Sequence, residues 1–220
     1  MLTNTEENYL KALFHLTKEI EGKTDAGTNE IAGYLNIKPA SANDMLKKLK
    51  EKELVDFEKY GKITLTNFGL NCATQVIRKH RLWETFLYEK LHFSWDEVHE
   101  VAEQLEHIKS KKLIEQIDKF LGYPKNDPHG DPIPDVEGNI NIQPKKSLID
   151  VPINFEYKII TVKDKSNLFL QYVKDTGLYI NKIIKVIEKN KFDNSIVIDL
   201  DNKKIKITKK MAENIFVVKK

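Results

Sequence analysis

After Lys52 the apolar pattern of this chain changes period, and that change limits the folds open to it. Before it, apolar residues recur at helical spacing. Tyr9, Leu10, Leu13, Phe14 and Leu16 form a stripe on a helix that the capping box Thr3-x-x-Glu6 opens and that runs to about Glu19. Gly22 to Gly27 reads as a loop, and Thr28 as the cap of a short helix that turns Ile31, Ala32 and Leu35 inward. After the turn Asn36-Ile37-Lys38, Pro39 stands in the first turn of a third helix, where its missing N–H breaks no hydrogen bond. This helix runs to about Lys52 with Ala42, Met45, Leu46 and Leu49 as its core face. Then Val55, Phe57, Ile63 and Leu65 alternate on either side of Tyr60-Gly61, the pattern of a β-hairpin. Helix, helix, turn, helix, hairpin is the order of a winged helix-turn-helix, here expected over 1–73.

Beyond it, a long helix is expected from Thr66 or Asn67 to about Leu91. A second capping box, Ser94-x-x-Glu97, opens a helix to about Ile108, and Ser110 caps another that ends near Gly122. These helices exceed what a winged helix needs, and a helical dimerisation domain over 74–123 accounts for them. Residues 124–150 include a stretch rich in Pro, Gly, Asp and Asn and read as a linker. From Val151 the pattern alternates again, in Tyr157–Val162, Ile183–Ile187, Ile196–Leu200 and Lys204–Ile207, as in a small β-barrel over 151–220. The fold class expected is therefore α+β.

Charge and composition exclude several classes. No apolar run approaches the roughly 20 residues of a membrane span. The opening stretch Thr3 to Glu7 is polar and acidic, unlike a secretory leader, and the single cysteine, Cys72, rules out a disulfide within the chain; the cytoplasm is the expected location. Residues 1–73 carry 10 basic and 11 acidic side chains, 74–154 carry 11 and 14, and 155–220 carry 15 and 8. Any DNA contact at the N-terminal end must then use a local basic face rather than a global field. The third helix offers one: Pro39, Ala40, Ser41, Asn43, Asp44, Lys47 and Lys48 point away from its core stripe. Ser and Asn can bond base edges and Lys can pair with phosphates. Lys59, Tyr60 and Lys62 at the hairpin tip are placed to touch the DNA backbone.

The richest chemistry lies on two later helices. His80 and Glu84 are four apart, and His99, Glu103, Glu106 and His107 fall on one stripe of the next helix. Carboxylates without partners are costly to bury, so such a stripe is poor core material, while imidazole and carboxylate together suit divalent transition metals. An exposed polar face laced with ion pairs is the plain alternative; two such sets on consecutive helices favour ligands. A di-metal carboxylate enzyme needs Glu-x-x-His on two helices of a four-helix bundle, which this chain lacks, so no enzyme is expected. His129, in Pro128-His129-Gly130, is expected to order a turn.

With these pieces in place the chain resembles the diphtheria toxin repressor family, including its manganese transport regulators. The resemblance rests on Glu7-Asn8-Tyr9-Leu10, Pro39-Ala40-Ser41-Ala42, Arg78-Lys79-His80-Arg81-Leu82, Glu84, Val98-His99, Glu103-x-x-Glu106-His107 and Pro128-His129-Gly130-Asp131-Pro132-Ile133-Pro134, across nearly the whole chain. It implies a homodimeric repressor that binds double-stranded palindromic operators when loaded with Fe(II) or Mn(II) and controls metal homeostasis, with an SH3-like C-terminal domain. It implies one metal site at His80, Glu84 and His99 and another at Glu103, Glu106 and His107, with Asn8 where the family carries a methionine or aspartate ligand. Glu103 stands where iron-type members carry cysteine, and an all-oxygen and nitrogen set favours Mn(II), with Fe(II) and other divalent metals able to substitute. Lys11 stands where manganese-type members carry a second glutamate, and nothing suited to a ligand falls near Lys165 to Leu168. An ion between the first helix and the dimerisation helices would then set the two reading heads roughly 34 Å apart. The alternative is a winged-helix regulator that answers a signal other than metal.

Overall fold

The computed structural model describes residues 2–20, 22–58, 61–141 and 143–220, so Lys59 and Tyr60, expected to touch DNA, lie outside the described residues. The chain divides into two compact units: Met1–His80 with Leu105–Lys111 and Pro134–Ile140, and Arg81–Gln104 with Lys112–Ile133 and Asn141–Lys220.

In the first unit, helix α1 (Asn4–Thr17) opens with the expected capping box. Thr3 Oγ1 accepts from the Glu6 amide at 3.2 Å and Glu6 Oε2 accepts from the Thr3 amide at 3.0 Å. Strand β1 (Ala26–Gly27) leads into helix α2 (Thr28–Tyr34), and helix α3 (Pro39–Glu51) begins on its proline. The N-cap of α2 is Gly27 rather than Thr28, because Gly27 is held extended by its pairing with Lys62, and the helix starts at Thr28, one residue earlier than expected. Strands β2 (Val55–Phe57) and β3 (Lys62–Leu65) pair antiparallel, Val55 opposite Leu65 and Phe57 opposite Ile63, and β1 lies on the other side of β3. Leu10, Leu13, Ile31, Leu46, Leu49 and Ile63 are fully buried and form the core. With that stripe inward, α3 leaves Pro39, Ala40, Ser41, Lys47 and Lys48 exposed and Asn43 half-buried. This is the helix, helix, turn, helix, hairpin order.

Helix α4 (Asn67–Leu91) follows, capped by Thr66, whose Oγ1 accepts from the Gly69 amide at 2.9 Å. Its first half is fastened within the first unit: Arg78 donates to the Pro134 carbonyl at 2.8 Å and Gln75 to the Val136 carbonyl at 3.1 Å. Helix α5 spans Val98–Leu105 and helix α6 Lys111–Phe120. Only half of the Ser94–Glu97 box forms: Glu97 Oε2 accepts from Ser94 N at 2.9 Å and from Ser94 Oγ at 2.6 Å, the Glu97 amide donates to the Ser94 carbonyl instead of its hydroxyl, and regular helix starts only at Val98. Helix α5 also ends before Ile108, so Glu106 and His107 lie in the turn beyond it and not on the stripe of His99 and Glu103. That turn is held by bonds from both residues to groups of the first unit.

The second unit is built on an antiparallel sheet in the order β4-β9-β5-β6-β7-β8, from β4 (Lys146–Ser147), β5 (Glu156–Val162), β6 (Ile183–Lys189), β7 (Ile196–Leu200), β8 (Lys203–Ile207) and β9 (Ile215–Lys219). Helices α7 (Asn167–Asp175) and α8 (Lys209–Asn214), absent from the expectation, cover it. Phe169, Leu170 and Val173 of α7 and Met211 and Ala212 of α8 enter the same core as Tyr157, Ile159, Ile184, Ile198 and Val217. Trp95, between α4 and α5, is buried in that core too. The α+β class stands.

Candidate metal centre

The expected ligands are divided between the units: Glu84, His99 and Glu103 stand in the second, and Asn8, His80, Glu106 and His107 in the first. In the second unit Glu84, on α4, is buried and its Oε1 lies 3.0 Å from His99 Nδ1. His99 Nε2 in turn lies 3.5 Å from Glu103 Oε1. The other side of Glu84 meets two residues that sequence reasoning left out of the ligand set. His129 is 0 % exposed, and its Nδ1 lies 3.4 Å from Glu84 Oε2. Asp127 is buried beside it, and one atom each from Glu84, Asp127 and His129 all lie within 4.8 Å of one another.

The segment Asn126–Asp131 holds these groups rigidly. Asp127 Oδ1 accepts from the amides of His129 at 2.8 Å and Asp131 at 2.9 Å. Gly130 makes the close approach to β5 that a side chain would forbid: φ is +87°, and a Cβ there would lie 1.8 Å from the Ile160 carbonyl oxygen. Ile160 sits where the β5–β9 register slips, between Ile159 and Thr161. The His129 carbonyl accepts from the Val162 amide at 3.3 Å, and Thr161 Oγ1 donates to Asp131 at 2.7 Å. The Trp95 indole donates to the Pro128 carbonyl at 3.0 Å, and its ring lies 5.5 Å from that of His129.

The tautomer of His129 follows from its neighbours. Nε2 lies 2.9 Å from the Trp95 carbonyl oxygen, which can only accept, so Nε2 carries the hydrogen. Nδ1 is buried, without a hydrogen-bond partner among the described residues, and faces the Glu84 carboxylate at 3.4 Å. An imidazole nitrogen and a carboxylate oxygen at that separation want a proton or a cation between them. Asp127 carries the same signal: burial first, then the charges of Glu84 and Asp131, push its carboxyl up from 3.8 to about 7. Arg81 Nε, 3.7 Å from Asp127 Oδ2, and Lys165, 2.9 Å from Asp131 Oδ2, leave that excess of negative charge in place. Two carboxylates and an imidazole make a donor set that fits Mn(II) or Fe(II).

In the first unit Glu106 is 0 % exposed. Both its oxygens accept from Lys11 Nζ at 2.7 Å, and Oε2 lies 2.6 Å from His80 Nδ1. His107 Nδ1 lies 2.6 Å from Glu7 Oε2, and Lys109 donates to Glu7 Oε1 at 2.6 Å. Burial pushes both carboxyls up, but hydrogen bonds from His80 and the Lys11 charge, and from Lys109 and His107, outweigh it and hold Glu106 and Glu7 below the ordinary range. Asn8 Oδ1 is buried there without a hydrogen-bond partner among the described residues.

Comparison with known proteins matches three segments of the chain. Residues 1–63 match the family model for the N-terminal DNA-binding domain of iron-dependent repressors, and 66–135 match that for their metal-binding and dimerisation domain. Residues 146–219 match the FeoA domain, which is SH3-like. The transcriptional regulator MntR of Oceanobacillus iheyensis is 31% identical over 127 residues, 58% of this chain and 84% of that one. The iron-dependent repressor IdeR of Mycobacterium leprae is 27% identical across 99% of this chain and 98% of its own. A manganese-dependent transcriptional repressor solved in complex with manganese superposes with a TM-score of 0.90 at 31% identity, over 98% of this chain and all of that one. This chain belongs to the diphtheria toxin repressor family of metal-dependent transcriptional repressors.

Proposed function

We propose that the chain is a homodimeric repressor whose grip on a palindromic DNA operator is set by a divalent ion, Mn(II) before Fe(II), bound by Glu84, Asp127 and His129, with His99 orienting Glu84. It works as a binding protein in the cytoplasm rather than as an enzyme. The observation that carries the metal is the buried His129 Nδ1, without a hydrogen-bond partner among the described residues and 3.4 Å from Glu84 Oε2. Bound there, the ion neutralises the buried carboxylates and ties α4 to the Asn126–Asp131 segment. The family likeness supports the operator and the dimer, and the resemblance to a manganese-bound repressor supports the metal.

The DNA contact falls to α3. Ala40, Ser41 and Asn43 on its exposed N-terminal side are proposed to meet base edges, with Pro39 starting the helix and Lys47 and Lys48 on phosphates; Tyr60 is proposed as a backbone contact. Replacing Lys47 or Lys48 by alanine is expected to weaken binding evenly across sequences and to lower the slope of log affinity against log salt by about 1 each. Anisotropy titrations over a salt series measure that slope, and an unchanged slope removes the residue from the interface.

Metal loading should depend on pH through Asp127. A carboxyl raised to about 7 destabilises the metal-free fold progressively as pH rises from the ordinary carboxylate range to that value, with no further loss above it. An ion must displace that proton, so apparent Mn(II) affinity should fall about tenfold per pH unit below about 7 from this group alone. Equilibrium dialysis on either side of neutrality checks it; a flat affinity removes Asp127 from the ligand set.

The reading as a whole is tested with duplexes selected from a random pool in Mn(II). The selected duplex should bind tightly in Mn(II) and lose that affinity in chelator. Equal affinity in both would favour a regulator that answers another signal.

A further inference from the structure

The ligand-type residues of the first unit are already closed around a cation of the chain's own. We propose that Lys11 takes the place of a metal ion in the cluster of Glu7, Asn8, His80, Glu106 and His107, so that each chain holds one transition-metal ion rather than two. This inference rests on the proposed function for the site at Glu84, Asp127 and His129.

The geometry is that of a tethered ion. Lys11 Nζ stands 2.7 Å from both oxygens of Glu106, and Lys11 is 7% exposed while Glu106 is fully buried. One nitrogen of each histidine is engaged as well: His80 Nδ1 lies 2.6 Å from Glu106 Oε2, and His107 Nδ1 lies 2.6 Å from Glu7 Oε2. Two further ammonium groups crowd Glu7, Lys109 at 2.6 Å and Lys79 at 3.7 Å. Three ammoniums, of which Lys109 is exposed, and two carboxylates sum to +3 − 2 = +1 before any ion enters, and a divalent ion beside the buried Lys11 ammonium would raise that to +3. Asn8 Oδ1 does lack a hydrogen-bond partner among the described residues, yet one neutral amide oxygen does not replace two carboxylates. A permanent ammonium thus fastens α1 to the turn at Glu106 whether or not metal is present.

Equilibrium dialysis of the full chain against MnCl2, with bound metal counted by atomic emission, tests this. Wild type should saturate at one ion per chain, and Asp127→Ala with His129→Ala should abolish it. Lys11→Glu, which reverses the charge, should gain a second ion per chain that Glu106→Gln then removes. Lys11→Gln, milder for the fold, is measured beside it and should gain the same ion more weakly. Two ions on wild type would overturn the proposal, as would one ion lost with Glu106→Gln but kept in Asp127→Ala, or folded Lys11 variants that stay at one. No ion on wild type would overturn the proposed function instead.

Discussion

Asp127→Asn should lower Mn(II) affinity by about 100-fold or more while leaving the metal-free protein no less stable than wild type at neutral pH. An inner ligand should cost at least as much as the 10–100-fold typical of the groups that support ligands. The substitution keeps the volume of the side chain and an oxygen able to accept from the amides of His129 and Asp131. Burial and the neighbouring carboxylates raise the wild-type carboxyl to about 7, a cost to the metal-free fold near neutral pH that the uncharged amide does not carry. What is lost is the negative charge that an ion needs and a 3.7 Å ion pair to Arg81, which still donates to the Pro132 carbonyl at 2.6 Å. Melting temperature in chelator at neutral pH should therefore not fall below that of wild type. Dialysis and thermal melts on the same preparation separate the two effects. Unaltered Mn(II) affinity in a folded variant would place the ion elsewhere.

Gly130→Ala should do the reverse and damage site and fold together. The φ of +87° is strained for any side chain, and the methyl group would meet backbone, with the Ile160 carbonyl oxygen at 1.8 Å and Thr161 Cα at 3.1 Å. Neither neighbour is a flexible side-chain end, so the segment must leave β5. The expected cost is about 3 kcal/mol or more in urea unfolding with chelator present. Because His129 and Asp127 ride on the same segment, metal affinity should fall as well. Native stability in this variant would mean that the loop does not hold the site.

What could be read in the sequence divides along physical lines. The winged helix was legible because each element carries its own local signal: the Thr3–Glu6 box, Pro39 at a helix start, the stripe of Ala42, Leu46 and Leu49, and the alternation around the hairpin. Helix α7 was not, although Phe169, Leu170 and Val173 stand at helical spacing, because nine residues among strands give a weak period. The site was half legible. Glu84 and His99 show themselves by spacing on helices. Asp127 and His129 lie in a Pro- and Gly-rich segment without period, where a buried ligand and a turn-former look alike until Gly130 is seen pressed against β5. Lys11 was visible as a departure from the family pattern; its consequence depends on where Glu106 stands, and that residue lies past the end of α5, off the helical stripe assumed for it.

The central claim is that the ion belongs between α4 and the Asn126–Asp131 segment. Crystals grown with Mn(II), measured at a wavelength where manganese scatters anomalously, address it directly. The account predicts one anomalous peak per chain, bonded to Glu84, Asp127 and His129 Nδ1. A map with no peak there, and its peak instead at Glu106 and His107, would contradict it.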